Sequence, residues 1–256
     1  MNRFFKRLYT YLILAFLYLP IITLILFSFN ESKTRAHWGG FSLKWYVQLL
    51  HDPEILEALY ITVGCALLAA VLATVLGTAA AIGIHDMSGL PHRLFVSVSY
   101  LPMLTPEIVT GVSLMVLFLA AKLNLGFLTM LMAHIAFDVP YVVFSVLPKL
   151  KQMNKHSYEA ALDLGAPPRV ALRKVVIPEI MPGIFTGMLM SFTMSLDDFV
   201  ISYFTGGSTQ NLSVLIYSMA RRGINPKINA LSALMFVFII LLLVLVNKRA
   251  SLAQRR

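Results

Sequence analysis

Four carboxylates stand inside long apolar runs of this chain, at Glu107, Asp138, Asp197 and Asp198, and a fifth, Glu179, lies at the edge of one. An ionised acid is costly in such surroundings. Where one occurs it marks a path for cations, a proton relay or an internal pair. No Lys or Arg lies deep in the same runs, which favours a positively charged cargo. Asp138 has His134 one turn earlier, so an ordinary pair within one helix would satisfy both. Asp197 and Asp198 are about 100° apart around a helix, so at most one faces a shared pathway. Asp198 is the first choice, with Asp197 capping or pairing. Pro102 and Pro106 precede Glu107 and free backbone carbonyls, which predicts a broken helix beside a buried acid. Tyr18, Tyr100, Tyr141 and Tyr203 offer rings for cation–π contacts or simply pack.

The elements that must hold these residues are membrane spans. Of 256 residues, 58% are hydrophobic and 13% charged, and the mean hydropathy is +0.78. That excludes a soluble domain and points to a polytopic, all-α membrane protein. Six runs are long enough to cross as helices: Leu8–Phe29, Leu59–Ile84, Leu94–Ala121, Leu125–Val146, Ile177–Phe204 and Ala230–Val246. None alternates apolar with polar as a barrel strand would. The first run is too long for a cleaved leader and reads as an anchor. With the N-terminus inside, inner segments hold fourteen Lys and Arg against seven in outer ones, including Arg35 outside and Arg255 and Arg256 inside. The bias predicts that both termini are cytoplasmic. The net charge of +9 is thus a topology signal, and nucleic acid is not an expected partner. In the first outer loop, Asp52-Pro53-Glu54 has the makings of a helix start. Trp38, Phe41, Trp45 and Tyr46 before it form either a headgroup belt or part of a substrate entrance.

One amphipathic island interrupts the pattern: YEAALDLGAPPRVALRKVVIPEIMPG, residues 158–183. Asn154 can cap a helix running to Leu164, Gly165 can end it in a left-handed conformation, and Pro167 and Pro168 suit the start of another. The result is a helix–turn–helix elbow on the cytoplasmic side, unless it is simply a basic linker lying on lipid. The single cysteine, Cys65, allows neither an intrachain disulfide nor a Cys-rich metal site. No HExxH motif and no recognisable Ser/His pair argues for an enzyme. No glycine-rich GxxxxGK[ST] loop occurs, so energy from ATP has to come from another chain. A proton-coupled secondary transporter is the main alternative from another class.

The spacing of Glu159-Ala160-Ala161, Gly165 and Val175-Val176-Ile177-Pro178 resembles the EAA loop of binding-protein-dependent ABC transporter permeases. Where that pattern has Ile-x-Leu-Pro, this chain has Val175-Val176-Ile177-Pro178. The resemblance implies one permease domain over residues 1–256, with six transmembrane helices and a cytoplasmic coupling loop at 154–176. Glu159, Ala160, Ala161, Gly165 and Pro178 would then couple to a cytoplasmic ATP-binding subunit, present as a dimer. GGFSLKWY (39–46), LPMLTPEIVTGVSLMVLF (101–118), SFTMSLDDFVISYFTGG (191–207) and LIYSMARRGINPKINAL (215–231) resemble the polyamine-type subunits of that family. From this follow the expectations of spermidine or putrescine as cargo, a second permease subunit and an extracytoplasmic polyamine-binding protein as partners, and a bacterial inner membrane as location. The substrate path would use Glu107, Asp138, Asp197, Asp198, Trp45 and Tyr141, with no cofactor or metal. Permeases for ferric iron or small anions share the scaffold and are the alternative within the family.

Overall fold

The computed structural model describes residues 3–33, 37–223 and 226–253. Arg35, Arg255 and Arg256 of the charge count lie outside them, and only the backbone is described for Arg3, Lys6, Lys155, Lys248 and Arg249. The described residues form α-helices and no strand, apart from an isolated bridge between Asn30 and Phe41. They divide into two compact units, one made of the chain up to Leu56 and from Leu215 onward, the other of Glu57–Val214.

Four stretches are long and apolar enough to cross a membrane: Arg7–Ser28, Pro53–Asp86, Phe127–Gln152 and Pro168–Asp197. The break expected from Pro102 and Pro106 is present: the Leu94–Ala121 run is two helices, α4 (Gly89–Leu104) and α5 (Glu107–Ala120), meeting at 105°. The cause is local. Thr105 precedes Pro106 and is extended at φ −77°, ψ 140°, the region that a following proline imposes. The span expected at Ile177–Phe204 is likewise interrupted, at Asp198, where ψ is 125°. For the last expected span, the described apolar part is Pro226–Leu241, within a helix that runs from Pro226 to Ala253.

In the unit containing both termini, α1 (Arg3–Ser28) and α2 (Lys44–Leu50) each pack on that last helix. The loop between them is organised by Asn30, which is 1% exposed. Its side chain accepts from the Gly39 and Ser32 amides at 2.8 and 3.2 Å, and its carbonyl accepts from the Trp45 indole at 2.7 Å. Trp45 is therefore a buried anchor of the loop. The helix start expected at Asp52-Pro53-Glu54 is present, since α3 (Pro53–Asp86) begins at Pro53. Lys227 donates to Asp52 at 2.8 Å, and that ammonium holds the carboxyl below its ordinary range.

In the other unit, the centre is α6 (Phe127–Gln152) against α9 (Ile177–Asp197), the most extensive helix pair. Their seam is dry, built from Val142, Val143, Val146, Leu147 and Leu150 with Val176 and Ile180, together with Ala73, Ala81 and Ile84 of α3. Small residues allow the close approach: a Cβ on Gly77 would sit 2.6 Å from that of Val142. Between α6 and α9 stand α7 (Lys155–Asp163), α8 (Pro168–Ala171) and a π-helical turn at Leu172–Val176. After the break at Asp198 come α10 (Val200–Thr205) and α11 (Leu212–Arg222).

Candidate functional site

Gly183, Gly187, Ser191 and Ser195 recur every four residues and so share one buried face of α9. Such small-residue spacing is how helices approach closely in lipid, where no hydrophobic force draws them together. A Cβ on Gly183 would meet the Ser145 carbonyl at 2.8 Å, and one on Gly187 the Val142 Cα at 3.0 Å. The glycines thus bring the two backbones together, and the same face delivers Ser191 and Ser195 to Asp138.

The two serines enter a polar cluster inside the apolar core. Ser195 donates to Asp138 Oδ2 at 2.7 Å and lies 2.9 Å from His134 Nδ1. The other ring nitrogen, Nε2, is 2.9 Å from Ser202 Oγ and 3.4 Å from Asp198 Oδ2. Asp198 accepts the Ile201 amide at 3.3 Å and the Ser202 amide and hydroxyl at 2.8 and 2.9 Å. Asn211 closes the ring of contacts, donating to the Asp198 carbonyl and to Ser202 Oγ, each at 2.8 Å. Asp138 Oδ1 and Ser191 Oγ are buried without a partner.

This geometry corrects four expectations. His134 does not pair directly with Asp138, because Ser195 from α9 stands between them. Asp198 does not face an open path. It is 8% exposed and its carboxylate satisfies the first amides of α10, which would otherwise be orphaned. Asp197, expected to cap or pair, is the exposed one of the two. Glu107 is also exposed, because the bend leaves it in the first turn of α5 rather than inside a continuous helix. Tyr141 is half-buried, 5.4 Å from the Phe137 ring, and its hydroxyl lies within electrostatic reach of both Glu107 and Asp138. Tyr100 stacks on Phe144 at 3.8 Å, so it serves packing.

The island folds as the spacing predicts. The Asn154 side chain accepts from the His156 amide at 3.1 Å, capping α7. Gly165 has φ +80°, and the Ala166 and Gly165 amides return to the Ala161 and Leu162 carbonyls at 3.1 and 2.8 Å, the paired bonds of a Schellman ending. A Cβ there would meet nothing within 4 Å. The glycine is required by the backbone angle and not by a close neighbour within the chain. Pro167 and Pro168 open α8. Glu159, Ala160 and Pro178 are exposed and Ala161 is half-buried. Leu164, at the tip, is 89% exposed. Behind the elbow a cavity of about 510 Å³ lies between His85 and Asp86 of α3, Tyr158 and Glu159 of α7, and Arg169 of α8.

The signal for Ser195, Ser202 and Asn211 was present as the four-residue repeat of small residues on α9 and as polar residues flanking the paired acids. It is visible only once α6 and α9 are set face to face.

Apolar helices long enough to cross a membrane, with a polar elbow between two of them, define an integral-membrane protein. Residues 73–255 match the family described as "Binding-protein-dependent transport system inner membrane component", and the chain belongs to that family. It is 37% identical to the spermidine/putrescine transport system permease protein PotC of Haemophilus influenzae over 247 residues, 96% of each chain. It is also 37% identical to the putrescine transport system permease protein PotI of Escherichia coli K12 over 228 residues, 86% of this chain and 81% of the relative. A chain of the bacterial alginate ABC transporter, crystallised with a pentasaccharide-bound periplasmic protein, shares the fold. Its TM-score is 0.71 at 16% identity, covering 95% of this chain and 91% of that one.

Proposed function

We propose that the chain is a permease subunit of an ATP-driven importer, forming part of an inner-membrane path for polyamines of the spermidine and putrescine class. The observation that carries this is the near full-length similarity to permeases named for those two amines. It is supported by unpaired acids on the surfaces of the α5 start and the α9 end, with no matching lysine or arginine in the same runs. Residues 1–256 act as a single permease domain, with both termini and residues 154–176 on the cytoplasmic side. The α7–α8 elbow docks on a separate ATP-binding subunit. Its exposed Leu164 and Ala160 present an apolar tip with two charges, Glu159 and Asp163, beside it. A second permease subunit and an extracytoplasmic binding protein complete the machine.

Within this reading the acids divide into two groups. Glu107 and Asp197 are the stations that exchange water for carboxylate around a passing ammonium, which cannot cross low-dielectric material unaccompanied. Tyr141 adds an aromatic wall. Asp138 and Asp198 hold the helices that present those stations. The test is uptake by vesicles bearing the whole transporter with saturating binding protein. Flux should require ATP, be blocked by vanadate and persist with an uncoupler. Glu107→Gln and Asp197→Asn should each lower it about tenfold or more at unchanged protein abundance, as loss of one charge-assisted contact of about 1.5–3 kcal/mol implies. Wild-type flux in both variants would remove the acidic path, and collapse with the uncoupler would remove the ATP-driven reading.

A further inference from the structure

In the unit containing both termini, a cavity of about 730 Å³ opens beside α2. Its charged lining is Lys33, Lys44, Arg222 and Lys227 against Asp52 and Glu54. Lys227 and Asp52 neutralise each other through their 2.8 Å contact. That leaves three cations facing one acid. Among the described residues, Lys33, Lys44 and Arg222 enter no ion pair. The Lys44 ammonium lies over the Trp45 ring, 5.3 Å from its centroid, which holds it at the cavity wall. Clustered cations without counter-charges repel one another, and an anion seated among them relieves that cost.

α2 turns three faces to three surroundings. Trp45 and Leu49, four residues apart, are buried. Lys44 and Gln48, also four apart, line the cavity. Leu43, Val47 and Leu50 follow at spacings of four and three, which puts them on one stripe, and each is more than half exposed. Trp38 and Phe41 of the preceding loop are exposed as well. An apolar stripe beside a cationic one is the pattern of a helix lying in a membrane interface. The level fits. Lys33 follows closely on α1, which ends at Ser28, and Lys227 stands in the first turn of the last helix (Pro226–Ala253), on which α1 packs. The ends of packed apolar helices lie among lipid headgroups. A water-soluble acidic partner would satisfy the cations and leave the stripe in water. A phospholipid satisfies both.

We propose that this cavity binds the phosphate of an anionic phospholipid, held by Lys33, Lys44 and Arg222, with Leu43, Val47 and Leu50 set among the neighbouring acyl chains. Arginine and lysine are the side chains suited to phosphate oxygens, and basic pockets beside membrane spans bind lipid headgroups in this way. Free phosphate offers the same oxygens but nothing for the apolar stripe. The assignment rests on the chain's place in a membrane and not on the identity of the cargo. It does bear on the cargo's route. Three cations against one acid repel a polyammonium, so the aromatic residues of this loop form a headgroup belt and not a substrate entrance, and Trp45 anchors the lipid site.

The chain has two tryptophans, Trp38 and Trp45. In full-length Trp38→Phe reconstituted in phosphatidylcholine bilayers, Trp45 alone reports the site. Its quenching by dibrominated phosphatidylglycerol, against that by dibrominated phosphatidylcholine, gives the relative affinity of the two lipids. Phosphatidylglycerol should be preferred. Lys33→Gln, Lys44→Gln and Arg222→Gln should each lower the preference about fivefold, the effect of about one charge at a membrane surface. Glu54→Gln should raise it by a similar factor, a gain that a misfolded chain does not produce. Excess inorganic phosphate, with ionic strength matched by chloride, should leave the lipid in place. Displacement by phosphate would make the free anion the ligand and overturn the proposal. Equal quenching by the two lipids, the outcome if the cavity serves an acidic protein, overturns it too, as does a preference unaltered by all four substitutions. Any of these results would leave the ATP-driven polyamine reading intact, and failure of the uptake test would leave this one intact.

Discussion

Replacing Asp198 by asparagine keeps the size of the side chain but removes one of two acceptor oxygens. In the structure those oxygens serve three donors, the amides of Ile201 and Ser202 and the Ser202 hydroxyl, with His134 Nε2 at 3.4 Å. An asparagine oxygen can take over one side only, and its amide group must then point its hydrogens at a backbone N–H or at the Ser202 hydroxyl. A buried donor left without an acceptor costs about 1–3 kcal/mol. A net loss of about 1–3 kcal/mol is therefore expected. For a chain of this size that lowers a thermal midpoint by about 2–12 °C. Asp197→Asn, at an exposed position, should stay within about 0.5 kcal/mol. The assay is the fraction of monodisperse transporter remaining after a heating series, read by fluorescence-detected size exclusion, with uptake measured on the same membranes. Asp198→Asn should lose stability and abundance, while Asp197→Asn should lose flux alone. A wild-type midpoint in Asp198→Asn would refute the assignment of this acid to holding the helix break.

Gly187→Leu drives a side chain into Val142, where even a Cβ would sit 3.0 Å from the Cα. Overpacking of about 1–3 kcal/mol or more should cut the yield of assembled transporter, seen by co-purification of its subunits. At Gly165 the φ of +80° with open space around it separates backbone from packing. Gly165→Val should leave insertion normal but abolish substrate-stimulated ATP hydrolysis, whereas Gly165→Asn, which tolerates the left-handed region, should retain much of it. Equal activity in the two would show that the turn geometry is not what coupling requires.

What could be read from the chain beforehand divides along a physical line. Local signals transferred well. The Asn154 cap, the Gly165 ending, the start of α3 at Pro53 and the break before Pro106 each depend on a few adjacent residues, whose conformational preferences the sequence states outright. The partners of the acids did not transfer. Asp198 reads as path-facing until Ser202 and Asn211 are placed around it, and those contacts depend on how the chain turns after α9. The pairing of His134 with Asp138 was proposed within one helix because the i, i+4 spacing is visible along the sequence. Ser195, which intervenes, lies 57 positions further on. Only the depth of the Gly183–Gly187 contact brings it there. Trp45 followed the same pattern, its indole being spoken for by a backbone carbonyl fifteen residues earlier.

The placement of these features along α9 bears on how a cytoplasmic event reaches the acids. The helix is continuous from Ile177 to Asp197, 21 residues or about 30 Å, and its first turn follows directly on the π-helical turn at Leu172–Val176 and the elbow. Along the seam with α6 the contacts at Ile180, Gly183 and Gly187 are van der Waals ones, which carry no directional bond to break on a small shear. At the far end the contacts are of another kind. Ser195, Asp198 and Ser202 bond to His134 and Asp138 of α6, and those directional bonds break if the helices slide past one another. Under the proposed reading, a push at the elbow is therefore converted into a pivot about the His134 cluster rather than a translation of the whole helix. Asp197, one residue before the pivot and exposed, turns without travelling far. A cation station gains from that arrangement, because rotating a carboxylate out of reach releases the cargo while the bonds that hold the path together stay closed.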